Sequence, residues 1–134
     1  MRGGQPLREM HVPTGPPPAD VVSASAAVRQ VFLELAAVDP PKDLTFVQRG
    51  EGLGSYLSES RRRSPAGEVH GVVVDEILFL SEDSAAVRFT MRVGKQAFGP
   101  LDGRAVCVAE PWLIERATFC ELVGRVGVRC PPPH

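Results

Sequence analysis

The sequence predicts an α+β domain in which N-terminal helices pack on a curved, mainly antiparallel sheet. Three observations predict it. Apolar residues recur at three-and-four spacing across residues 21–38, an almost unbroken apolar run fills residues 69–80, and residues 85–93 alternate between apolar and polar. Helices therefore precede strands, and no internal repeat interrupts that order.

Length and composition set the frame. A chain of 134 residues fits one domain, because single hydrophobic cores commonly form at roughly 100–150 residues. An apolar share of 43% and a charged share of 23% are those of an ordinary globular protein. Fifteen Lys and Arg against sixteen Asp and Glu leave a net charge of -1, which creates no global field for nucleic acid or an anionic membrane surface. No apolar run approaches the roughly 20 residues of a membrane-spanning helix, and the first residues lack a charged-then-apolar export signal. As written the chain reads as cytoplasmic; it reads as exported or surface-attached if a signal once preceded it.

Residues 1–19 are expected to be a disordered leader. Gly3, Gly4, Pro6, Pro13, Gly15 and Pro16 to Pro18 fix or loosen the backbone too often for helix or sheet hydrogen bonding. The proline run also suits a polyproline ligand, but a plain linker explains the same composition. The folded domain then spans about residues 20–131, with 132–134 as a tail. Asp20 can cap a first helix whose apolar face is Val28, Val31, Phe32, Leu35 and Val38, and Pro40 and Pro41 end it. Arg29 and Glu34 lie off that stripe. Two short helical pieces are expected next, one after Asp43 with Leu44, Phe46 and Val47, the other with Leu53, Tyr56 and Leu57. Arg61, Arg62 and Arg63 close the second piece, where positive charge complements the carbonyl end of a helix. An anion contact is the sharper reading of that triplet; a solvated helix end is the simpler one.

Ser64 to Gly67 form a loop before the long apolar strand, which is expected to lie centrally in the sheet. Ser81 to Ser84 supply a turn, and the next strand sets Val87, Phe89, Met91 and Val93 against Arg88, Thr90 and Arg92, so that one face packs and the other meets water. Gly94-Lys95 suits a tight hairpin. Gly99, Pro100, Asp102 and Gly103 imply a bulge or loop before a strand over 104–110, and a last strand is expected over Trp112 to Thr118. Phe119, Cys120, Leu122 and Val123 then form an apolar closing turn or short helix.

This order resembles the cone-shaped nuclear transport factor two-like superfamily (a cystatin-like α+β architecture), which includes SnoaL-like cyclases and ketosteroid isomerase. The ending from Trp112 through Arg116-Ala-Thr-Phe-Cys120 to Cys130-Pro131 is similar to actinobacterial domains related to a low-molecular-weight mycobacterial secreted antigen. The resemblance covers about residues 20–131. It implies a fold and often an exported setting, and it implies no reaction and no cofactor. Relatives in the superfamily commonly dimerise through the sheet, so it implies a homodimer as partner.

Enzymes of that superfamily place acids, bases and donors inside the cone, because proton transfer beside a carbonyl needs a base and an oxyanion stabiliser in a dry pocket. The candidates are few. Tyr56 is the single Tyr, His70 begins the apolar strand, and Asp75 and Glu76 are expected to point to opposite sheet faces. Tyr56 and Trp112 are the candidates for contact with a small apolar ligand. The plainer role of Asp75 is a pair with one of Arg88, Arg92, Arg104 or Arg116. Three cysteines allow at most one intrachain disulfide, with Cys120 and Cys130 the natural pair and Cys107 a small strand side chain. A metal site of Cys120, Cys130 and His134 lacks a fourth ligand, so none is expected. No phosphate loop, dinucleotide fingerprint or hydrolase elbow is present. The function expected is therefore a non-catalytic ligand-binding or protein-interaction domain. A small isomerase or cyclase acting on an apolar carbonyl compound is the alternative.

Overall fold

The structure is a computed structural model that describes residues 5–36, 40–63, 69–93 and 95–132, with the side chains of Val69, His70 and Val93 outside that description. Val38, the 64–67 loop, Gly94 of the expected hairpin turn and His134 therefore lie outside the described residues. Among the described residues the fold is α+β, with four helices and one antiparallel sheet of four strands.

The first helix in the sequence is α1, Leu7–Met10, inside the expected leader. Next comes α2, Val21–Leu33, extended by one tighter turn over Glu34–Ala36. Asp20 caps it as expected, its carboxylate accepting from the Ser23 N–H at 3.0 Å. Val28, Phe32 and Leu35 are buried and form the face turned to the sheet.

The segment after Pro41 is not helical, contrary to expectation. Its backbone is committed elsewhere: Gln48 N–H donates to the Ile114 carbonyl, Ile114 N–H to that of Phe46, and Leu44 N–H to that of Gly50. The Asp43 carboxylate accepts from Gly52 N–H at 2.8 Å, closing the loop from its far end rather than capping a helix. Only glycine fits at position 50, because a Cβ there would meet the Leu44 carbonyl oxygen at 2.0 Å. The second piece forms as expected, as α3, Gly54–Arg63, with Leu57 buried.

The sheet runs β1 (Val69–Ser81), β2 (Ser84–Val93), β3 (Gln96–Val106) and β4 (Leu113–Ile114), in spatial order β1-β2-β3-β4. Strand β1 is therefore at an edge, not central. Its apolar run is explained by cover on both faces. Val72 and Val74 belong to the main core, while Leu78 and Leu80 pack with Leu7 and Ala86 on the other face. The ladder jumps from Val74↔Phe89 to Glu76↔Arg88, so Asp75 is the extra residue of a bulge. The β2–β3 ladder shifts register between Phe89 and Met91, where Gly99 and Pro100 of β3 stand against Thr90, and β3 continues beyond this bulge.

Strand β3 ends at Val106, before the expected limit at residue 110, and β4 is only two residues long. Glu115 N–H donates to the Arg104 carbonyl, and Phe119 N–H then donates back to Glu115, starting α4, Arg116–Gly124. Phe119 and Val123 recur at helical spacing there and are buried. The expected strand to Thr118 is thus a short strand followed by a helix. The main core lies between the inner sheet face and the helices, and its largest fully buried side chains include Phe32, Phe89 and Phe119.

Candidate functional site

The outer face of the sheet holds a connected set of polar groups, and the N-terminal segment supplies part of it. Arg88 projects outward from β2, yet it is only 7% exposed. Its Nε donates to Asp102 Oδ1 at 2.8 Å across the β2–β3 ladder, and Glu76 lies at 3.7 Å on the β1 side. Its Nη1 donates to the Gln5 carbonyl at 2.6 Å, and its Nη2 approaches the Met10 sulfur at 3.1 Å. The Glu76 carboxylate accepts from Leu7 N–H at 3.2 Å. Asp102 first, and Glu76 after it, push the Arg88 pKa further up, against the desolvation that lowers it. Beside these charges the Leu7 side chain fills a hole formed by Leu78, Leu80 and Ala86. Thr14 and Gly15 N–H both donate to the Leu80 carbonyl and hold the outgoing chain against β1.

Residues 5–15 thus lie on the sheet, a departure from the disordered leader expected there. Averaging over a glycine- and proline-rich stretch hid a short run, Leu7 to Met10, that contains neither residue. The same cover overturns the expectation that the polar face of β2 meets water along its whole length.

Among the described side chains, the candidates Tyr56 and Asp75 do not converge. The bulge at Asp75 sends its side chain and that of Glu76 to the same, outer face, rather than to opposite faces. Asp75 accepts from Thr90 Oγ1 at 2.7 Å, and the carboxylates on Arg88 are those of Asp102 and Glu76. Tyr56 is on α3, half-buried against the core on the opposite side of the sheet. His70 lies in β1, but its side chain is outside the described ones. Trp112 is buried and meets the Phe79 ring edge-on at 5.7 Å. It also lines a cleft of about 270 Å³ with Val31, Glu34, Pro41, Thr45, Phe46, Pro111 and Leu113, in which Tyr56 has no part.

Arg116 belongs to α4 rather than to the sheet. It is buried and donates to the carbonyls of Arg49 and Pro131. The arginines ending α3 are also structural, since Arg61 donates to the Leu35 carbonyl at 2.7 Å and Arg63 to that of Gly127 at 2.8 Å. Arg63 and then Arg62 hold the Glu59 carboxyl below its usual range.

Cys120 and Cys130 form the expected disulfide, with Cα atoms 5.6 Å apart, and tie α4 to the chain end. Bonded to each other, they offer no thiolates to a metal. Among the described residues no group of three or more His, Cys, Asp or Glu is placed to hold a metal ion. No described helix is long and apolar enough to cross a membrane.

Buried Arg88 could have been suspected from the opposite charges of Glu76 and Asp102 on the flanking strands, but only their registers bring the three together. No protein-family model, curated protein or solved structure matches the chain.

Proposed function

We propose that this chain is a non-catalytic protein-interaction domain of the cone-shaped, nuclear transport factor two-like kind, which pairs with a second copy through the outer face of its sheet. The observation that carries this reading is the placement of the polar groups. The space between sheet and helices is taken up by Phe32, Phe89, Phe119 and Trp112, while Asp75, Glu76, Arg88 and Asp102 all stand on the other face. Polar chemistry has gone to a surface rather than to an enclosed pocket.

The end of that face near the β2–β3 hairpin is where a second copy would sit. Val73 is 49% exposed there, and Asp75, Arg92 and Ala97 around it are exposed as well. A carboxylate and a guanidinium on one apolar patch can meet their counterparts across a two-fold axis, as an isologous interface requires. The Cys120–Cys130 disulfide supports an exported setting, because such bonds persist in oxidising compartments. The cleft beside Trp112 supports a second reading, a site for a small apolar ligand. Sedimentation of the chain and of its Val73→Asp variant tests the pairing. Self-association lost in the variant supports it, and monomers in both refute it.

A further inference from the structure

We infer that the groove on the outer sheet face is a peptide-binding site, and that residues 5–10 fill it as a tethered occupant which a leucine-bearing segment of a partner protein displaces. The inference goes beyond the pairing of two copies, uses the opposite end of the same face and does not depend on that pairing.

The groove holds main-chain groups and one apolar side chain. Its two charged walls are spent on main-chain groups: Arg88 Nη1 holds the Gln5 carbonyl, and the Glu76 carboxylate accepts from the Leu7 N–H. Every peptide offers a carbonyl and an N–H at that separation, so these bonds carry affinity without reading sequence. Selectivity comes from one hole, where Leu7 is fully buried against Leu78, Leu80 and Ala86. A second, softer contact sets the Met10 sulfur on the guanidinium. Main-chain hydrogen bonds that give affinity, with a side-chain pocket that gives specificity, are one established way to bind a short peptide.

The groove is also a built feature of the sheet. Arg88 is held in place by Asp102 from β3, a strand that the segment does not include. The occupying element is by contrast slight: α1 is four residues long, and Arg8, Glu9 and Met10 are exposed. Beyond it, Thr14 and Gly15 are fixed to Leu80 and Pro16 to Pro18 follow, so residues 5–12 can leave while the tether stays in place. A tether of that length keeps the segment at high local concentration, which makes the groove closed by default and open to a competitor. The competitor's chemistry is that of the occupant, a leucine with Met or another apolar residue three positions later.

The test uses the full chain, isotope-labelled at methyl groups, and a synthetic peptide of residues 5–12. In a Leu7→Asp chain the tethered segment cannot seat its carboxylate in the hole. The peptide should then shift the Leu78, Leu80 and Ala86 methyls saturably, and the wild-type chain should need at least about ten-fold more peptide for the same shift. A peptide with Ala in place of Leu, or a Leu7→Asp/Arg88→Met chain, should abolish the effect. Equal titration of wild-type and Leu7→Asp chains, or no shift in a folded Leu7→Asp chain, overturns the inference. Should Leu7→Asp unfold the protein, amide exchange of the wild-type chain decides. The Leu7 amide should exchange at least about a hundred-fold faster than the core amides of β2, reporting release of the segment by local opening. Exchange at the same rate overturns the inference, since the segment would then leave only with the whole fold.

Discussion

Arg88 and Asp102 face each other across the β2–β3 ladder with Nε and Oδ1 2.8 Å apart, one nearly buried and the other open to water. Arg88→Met leaves the Gln5 carbonyl without its donor and should cost about 1.5–3 kcal/mol in urea unfolding, the range for bonds to a charged group. Asp102→Asn keeps an acceptor for Nε but takes the nearer counter-charge from a nearly buried guanidinium, so it should also destabilise, by about 1–2 kcal/mol. The exposed Arg129→Met, away from the sheet's outer face, serves as the reference. A loss at Arg88 no larger than at Arg129 would show that the N-terminal cover contributes nothing.

Gly103 and Thr118 give a second prediction. A Cβ at residue 103 would come within 2.4 Å of Thr118 Cγ2, a branched side chain that is itself buried and stiff. Gly103→Ala should therefore destabilise by about 1–3 kcal/mol, as overpacking does. Thr118→Ser removes the offending methyl and keeps the Oγ1 that accepts from Arg104 N–H at 2.9 Å. The double variant should recover most of the loss, and a purely additive cycle would contradict the contact.

Cys107 yields a pH dependence. Burial, with the Glu110 carboxylate beside it, pushes its thiol up from 9.0 to about 11. The folded chain therefore keeps this proton at pH values where the unfolded chain has lost it. Between those two values stability falls as pH rises, and below them Cys107 contributes no slope. Unfolding midpoints of wild-type and Cys107→Ser should diverge only in that window. Alkylation near about pH 8 should be slower than for a free thiol, and an ordinary rate would contradict the burial.

Much of this fold was legible because local signals agreed with one another. The Asp20 cap, the stripe of Val28, Phe32 and Leu35, and the alternation through Val87, Phe89 and Met91 each point to one element, and each formed. What the sequence hid depends on distant chain. The run through Val72 to Leu80 reads as a central strand because both its faces are apolar, but the outer cover comes from Leu7, and only the folded chain brings it there. The bulge at Asp75 is equally silent in the sequence. It turns Glu76 away from the helices and removes it from any enclosed pocket with Tyr56. The strand expected over Trp112 to Thr118 stops after Ile114, and the switch to helix follows from Glu115 spending its N–H on Arg104 and its carbonyl on Phe119.

Sedimentation equilibrium at tens of micromolar, on the unreduced full chain, tests the interaction reading most directly. A mass of twice the 14.4 kDa chain is expected, falling to the single-chain mass for Val73→Asp and for Asp75→Arg, with the loss at Asp75→Arg restored toward the dimer in Asp75→Arg/Arg92→Asp. A single-chain mass for the wild-type protein would contradict it.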